Sequence, residues 1–356
     1  MTIRQLLEEM VQKGASDLHL TVGAPPVFRV DGELVPSNYE VLTPEKNEEL
    51  IYSLLNDQQK KRFEMEHELD LSFGIPNLSR FRANSYIQRG CVGMAIRTIP
   101  FEIRSFKELG LPPVIAELTS RPKGLILVTG PTGCGKSTTL ATMIDTINGI
   151  KRSHIVTVED PIEYVFRHKK CIINQRQVGS DTHSFANALK YVLRQDPDVV
   201  MVGEMRDLET ISAALTISET GHLTFATLHT NSAYESIERI IDVFPTHQQP
   251  QVRAQLAFVL LGVVTQSLIA KIRGGRALSL EIMVGTPAIR AMIRDDKIHQ
   301  IYSLIQAGQK FGMQTMNQSL YNLYITRQIS LENAFAYSRD VEELERMIAE
   351  KSEMVA

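Results

Sequence analysis

The alternation of hydrophobic and polar positions changes character about a third of the way along the chain. Up to residue 100 it has a period of two over the short stretches 17–22, 27–30, 80–88 and 92–99, which predicts strands buried on one face. Asp31-Gly32 favours a tight hairpin turn after the second stretch, and a helical stretch is predicted over 44–65. Together these predict a small mixed-sheet domain over 1–100. Pro100, the charged run to Lys107, Gly110 and Pro112-Pro113 then interrupt both periodicities, because proline fixes the backbone and withholds a donor. A partly ordered linker is expected over 101–122.

From Lys123 the strands read as continuous apolar runs alternating with helices, the pattern of a mostly parallel sheet covered on both faces. This predicts an α/β domain over 123–286, and the helical pattern after it predicts a C-terminal helical region over 287–356. In an open parallel sheet a ligand sits beyond the carboxyl ends of the strands, so the residues after each run matter most. The run 125–129 leads into Gly130-Pro-Thr-Gly-Cys-Gly-Lys-Ser137, which has the spacing of a phosphate-binding loop. Glycines at 130, 133 and 135 let successive N–H groups and the next helix N-terminus converge on a polyphosphate. Gly130, Pro131, Thr132, Gly133, Cys134, Gly135, Lys136, Ser137 and Thr138 are thus expected to hold the phosphates of ATP. Lys136 would reach the β and γ phosphates, and Ser137 would ligate Mg²⁺.

Three further runs end in polar residues: 155–158 in Glu159-Asp160-Pro161-Ile162-Glu163, 199–202 in Gly203-Glu204, and 223–228 in His229-Thr230-Asn231. The acids and the histidine are expected to converge on the γ-phosphate. Hydrolysis needs an oriented water and a carboxylate to take its proton, and Glu163 and Glu204 are the candidates. Glu204 is also expected to serve Mg²⁺ through water. His229 would sense the γ-phosphate or hold Glu204. His222 is separated from His229 by seven residues of strand, roughly 23 Å, and cannot share a metal with it.

Composition narrows the class without changing this picture. A chain of 356 residues predicts two domains, and a net charge of −3 lacks the basic balance of a nonspecific nucleic-acid or membrane binder. No basic, aromatic-interleaved stretch marks a single-strand groove, so no nucleic-acid partner is expected. The three cysteines, Cys91, Cys134 and Cys171, are widely spaced and predict neither a disulfide framework nor a zinc ribbon. Cys134 reads as a space-filler within the loop, with a redox role open because loop amides can lower a thiol's pKa. An acidic N-terminus and apolar runs too short to span a bilayer predict a soluble, cytoplasmic protein.

Val158-Glu-Asp-Pro-Ile-Glu163, Arg194-Gln-Asp-Pro-Asp-Val-Val-Met-Val-Gly-Glu-Met-Arg-Asp207 and Thr220-Gly-His-Leu-Thr-Phe-Ala-Thr-Leu-His-Thr-Asn231 resemble the Asp box, Walker B segment and His box of the type II/IV secretion ATPases. Within that superfamily the chain most resembles the type IV pilus retraction ATPases, from Ala15-Ser-Asp-Leu-His-Leu20 to Gly312-Met-Gln-Thr-Met-Asn-Gln-Ser-Leu320. The resemblance implies a RecA-like P-loop ATPase domain preceded by a PAS-like α+β domain. It also implies a homohexamer bound peripherally to an inner-membrane pilus platform, with ATP hydrolysis driving pilus disassembly. It assigns Glu163 as general base, completes the site with Glu204 and His229, and makes Arg82 and Arg97 similar to arginine fingers. Extension motors usually add an N-terminal domain and a four-cysteine zinc insertion, which favours retraction here. Ala288-Ile-Arg-Ala-Met-Ile-Arg-Asp-Asp296 resembles a C-terminal motif associated with retraction but departs from it at Ala291 and Met292, and its Arg290 and Arg294 are expected on one helix face. An accessory retraction motor, an extension ATPase and a non-hydrolysing regulatory module remain the alternatives.

Overall fold

A computed structural model describes residues 1–353 except Asp31, Asn77, Pro100 and Phe101, and only the backbone of 350–353. The chain divides into two bodies, one holding Met1–Glu102 with Glu163–Val165, the other Ile103–Ile162 with Phe166–Ala356.

The first body runs α1 (Ile3–Gln12), β1 (Asp17–Leu20), β2 (Val27–Val30), β3 (Glu33–Pro36), α2 (Pro44–Tyr52), α3 (Asp57–Glu66), β4 (Glu68–Ile75), β5 (Ser79–Gln88) and β6 (Cys91–Ile99). Its six strands form an antiparallel sheet in the order β3-β2-β1-β6-β5-β4. The period-two pattern sets the register. Leu18 pairs with Phe28 and Ile96, and Ala83 pairs with Ile96 and Leu71, so one face is apolar and buried. The next rung, Arg29-Asp17-Arg97-Arg82-Ser72, puts charge on the other face. The single helix expected over 44–65 is two helices, because Asn56 starts a new one by accepting from the Gln59 amide while Gln59 reaches back. The β2–β3 hairpin forms, with Asp31 of its expected turn outside the described residues.

The second body begins at Ile103, inside the stretch expected as linker, which carries α4 (Phe106–Leu109) and α5 (Pro113–Ser120). Val114, Ile115 and Leu118 of α5 are buried, so this proline-rich segment packs as a helix with Pro113 at its first turn. Pro100, at the expected start of the break, lies outside the described residues.

The order continues β7 (Gly124–Thr129), α6 (Lys136–Ile150), β8 (His154–Glu159), β9 (Ile172–Gln177), α7 (Phe185–Val192), β10 (Val199–Val202), α8 (Leu208–Glu219), β11 (Leu223–Leu228), α9 (Ala233–Asp242), α10 (Gln249–Val259), β12 (Leu260–Ala270) and β13 (Arg276–Val284). The sheet order is β13-β12-β7-β11-β10-β8-β9, parallel throughout except for the antiparallel β12–β13 pair. All residues of β7, β10 and β11 are buried, as their unbroken apolar runs require. Five helices follow: α11 (Pro287–Arg294), α12 (Ile301–Gln306), α13 (Met316–Ile325), α14 (Leu331–Tyr337) and α15 (Val341–Glu353). The mixed α/β class with a helical C-terminal region therefore holds. No helix among the described residues is long and apolar enough to cross a membrane.

Candidate active site

Register brings the predicted loops to one edge of the sheet. Leu228 is level with Thr129, and Val202 is level with Ala226 and Val158, so the residues after β7, β8, β10 and β11 emerge together. At the end of β7, Gly130 has φ of 136°, and a Cβ there would lie 2.3 Å from the Gln266 carbonyl oxygen and 2.7 Å from Cys134 Sγ. Only glycine fits between the loop and β12. Gly135, at φ of 91°, begins α6 with no side-chain cap, whereas Ser184, Asp207 and Ser232 cap α7, α8 and α9. A helix N-terminus without a capping side chain, entered through a glycine loop, suits an anion.

Lys136 Nζ donates to the carbonyls of Gly130 at 2.7 Å and Pro131 at 3.0 Å, and lies 3.5 Å from His229 Nδ1. The other ring nitrogen of His229 is 3.2 Å from Glu204 Oε1. His229 therefore lies between the loop lysine and Glu204. Ser137 and Thr138 are partly buried in the first turn of α6, while Pro131, Thr132 and Gly133 are exposed at the loop tip. Cys134 is buried at 3% exposure, where it fills space under the loop, and burial pushes its thiol up despite the nearby Lys136 charge and loop amides.

Two residues that sequence reasoning passed over complete the cluster. Arg206 closes on Glu204 with both arms of its fork, Nε to Oε1 at 2.7 Å and a terminal nitrogen to Oε2 at 2.7 Å. Burial alone pushes the Glu204 carboxyl up, but the Arg206 bonds and the His229 ring outweigh it and hold the group below the usual carboxylate range. The signal was its place two residues after the acid, between buried Met205 and Asp207, the cap of α8. Gln266, wholly buried in β12, donates to the Cys134 carbonyl at 2.7 Å, and neighbouring Thr265 shares a hydrogen bond with Thr129 at 2.7 Å. A Thr-Gln pair inside an apolar strand was the clue, since buried polar side chains need partners.

The remaining predicted residues are distributed as follows. Glu159 ends β8 and is buried, accepting from Thr157 Oγ1 at 2.6 Å and Gln175 at 3.1 Å; Asp160 after it is exposed. Glu163 belongs to the first body, as do Arg82 and Arg97. Arg82 and Arg97 face each other directly across β5 and β6, both exposed. Arg97 is paired with Asp17 at 2.8 Å, while Arg82 has no ion-pair partner among the described residues. Like charges opposite one another oppose pairing, and an anion between them would relieve it. His222, at the far end of β11, bonds Thr220 Oγ1 and the Ile217 carbonyl at the end of α8, a structural place. Arg290 donates to the carbonyls of Gly285, Phe258 and Leu260, whereas Arg294 pairs among the described residues with neighbouring Asp295.

The sequence profile of the type II/IV secretion system protein family matches residues 1–334. The chain belongs to that family. Among its relatives in the secretion-system family, the type IV pilus retraction ATPase PilT of Pseudomonas aeruginosa is 51% identical over 94% of this chain and 97% of its own. The type IV pilus ATPase PilU of the same organism is 41% identical over 99% of this chain and 93% of its own. A crystal structure of the pilus retraction motor PilT with bound ADP superposes with a TM-score of 0.92 at 53% identity, covering 97% of this chain and 99% of that one.

Proposed function

We infer that this chain is a pilus retraction ATPase, a motor that hydrolyses ATP to ADP and phosphate and applies the energy to disassembling a type IV pilus. The observation that carries the reading is the chain of contacts Lys136–His229–Glu204–Arg206 at the mouth of a glycine loop, in a protein akin to a retraction motor along almost its whole length. ATP phosphates would take the loop amides and the α6 N-terminus, with the Lys136 ammonium exchanging its carbonyl partners for phosphate oxygens. The donor set suits magnesium: the Ser137 hydroxyl is a hard oxygen ligand and the Glu204 carboxylate could hold a coordinated water, and magnesium needs few direct protein ligands because it keeps several waters. No cluster of three metal-ligating side chains occurs among the described residues, which is compatible with such a water-rich site. When bound, the ion would offset phosphate charge. His229, between lysine and acid, is placed to register the terminal phosphate.

Glu163 as general base, and Arg82 with Arg97 as cations donated to a neighbour's phosphate, are the finer parts of the reading. An arginine supplied from an adjacent subunit stabilises charge on the transferring phosphoryl group, and head-to-tail contacts of that kind close into rings, which supports a homohexamer. Work on the pilus requires docking on an inner-membrane platform, so the protein would act at the cytoplasmic side of that membrane. The intact Lys136 and Glu204 argue against a non-hydrolysing module. Deletion of the gene, rescued by wild type and by Glu204→Ala, tests the function. Pili that accumulate and fail to shorten with the variant support it; retraction by the variant at the wild-type rate overturns it.

A further inference from the structure

The loop carrying His229 is held from behind by the C-terminal region. Ser232 caps α9, and Glu281 of β13, only 1% exposed, accepts from the first amide of α9, that of Ala233, at 2.7 Å. The same carboxylate is near enough to the amide of Met316, the first residue of α13, to feel its dipole, while its Oε2 makes no hydrogen bond. One buried acid thus sits between the N-termini of two helices, one belonging to the His-box segment and one to the C-terminal region. A second tie lies nearer the surface. Arg339, in the turn between α14 and α15, pairs with Glu235 and lies 5.7 Å from the centre of the Tyr234 ring. The other Glu235 oxygen accepts the Asn231 amide at 3.0 Å, and Thr230 shares a hydrogen bond with Ser236 at 2.7 Å. Asn231 is two residues from His229, whose ring spans Lys136 and Glu204.

We propose that Arg339 and Glu281 are positioning residues that fix His229, and that through them the C-terminal helical region controls the rate of turnover while leaving nucleotide binding alone. The reasoning is geometric. Removing Arg339 frees Glu235, which then loses its alignment toward the Asn231 amide, and the loop gains freedom at the residue that bridges lysine and acid. Gln266 and Thr265 of β12 anchor the phosphate loop and neither bonds Arg339 or Glu235, so removing that pair leaves the loop's grip on phosphate in place. A displacement of the C-terminal region by whatever the motor pulls against would reach the site along the same path. This inference rests on His229 acting in hydrolysis.

The test uses the purified full-length protein and the variants Arg339→Gln, Arg339→Lys and Glu235→Gln, the last keeping the packing should Arg339→Gln fold poorly. Loss of a half-exposed, hydrogen-bonded pair should lower kcat about fivefold in Arg339→Gln and Glu235→Gln, with nucleotide affinity within about twofold and partial rescue by Arg339→Lys. In a double-mutant cycle, Arg339→Gln added to His229→Ala should cost little more than His229→Ala alone; effects that simply multiply overturn the proposal. Hydrogen exchange at the Asn231 and Ala233 amides reads the link without turnover. Faster exchange in Arg339→Gln supports it, and unchanged protection refutes it. Wild-type turnover by His229→Ala would instead sink the functional reading beneath it.

Discussion

Replacing Arg206 with glutamine tests how Glu204 is kept ready. The arginine makes two charge-assisted bonds of 2.7 Å to the carboxylate, but its side chain is 71% exposed while that of Glu204 is 19% exposed. Such bonds in a dry interior are worth about 1.5–3 kcal/mol each, and solvent screening at this exposure reduces the whole pair to about 1 kcal/mol. If that energy orients Glu204 for catalysis, its loss lowers kcat about fivefold, since a tenfold change corresponds to about 1.4 kcal/mol. The loop itself should survive, because Met205 is buried and donates its amide to the Thr227 carbonyl, and Asp207 still caps α8. A second readout follows from charge. With Arg206 gone, burial is less opposed, the Glu204 pKa rises, and activity on acidification is lost at a higher pH than in wild type. The assay is phosphate release across a pH series at saturating ATP. Arg206→Lys, which keeps the charge but not the fork, should fall between the two. An unchanged kcat together with an unmoved acid limb would refute the reasoning.

Three other outcomes are expected. Gly130→Ala drives a Cβ into the β12 backbone at a positive φ, and should cost about 3 kcal/mol and weaken nucleotide binding, read by denaturant unfolding and calorimetry. Arg290→Met strips a charged donor from three carbonyls and should cost about 2–3 kcal/mol in urea unfolding while kcat at permissive temperature stays within twofold; an undiminished stability would return this arginine to a surface role. Burial raises the Glu281 carboxyl in the folded state above its unfolded value, so its contribution is full at acid pH and lost as pH rises through the folded pKa. Glu281→Gln should therefore gain Tm relative to wild type as pH increases from acid to neutral, and parallel Tm curves would contradict this.

Legibility followed burial. β7, β10 and β11 are buried along their whole length, so unbroken apolar runs marked them, and the phosphate loop, Glu204 and His229 could be placed at their ends. Where a strand serves the site with polar side chains, the pattern blurred. β12 places Thr265 and Gln266 under the loop, and its hairpin with β13 was not foreseen. β4 was missed at the sheet edge, where only alternate residues of its first half are buried and Glu68 and Asp70 break the apolar signal. Arg206 and Arg290 were hidden for a different reason. Their partners are a carboxylate in a bend and three carbonyls at strand and helix ends, which depend on tertiary position and leave no periodicity. The prolines of 101–122 suggest a partly ordered linker, and the part of it that sequence leaves unspecified is a helix beginning at Pro113 whose apolar residues are buried.

The claim on which the account turns is that the cluster around Lys136 hydrolyses ATP. The most direct measurement is phosphate release by the assembled wild-type protein and by Glu204→Ala, with nucleotide affinity measured on the same samples. Steady release by wild type, a fall of about a hundredfold or more in the variant and near-equal affinities are predicted, since removing a group that acts in the transition state spares ground-state binding. Equal release by the two proteins would contradict it.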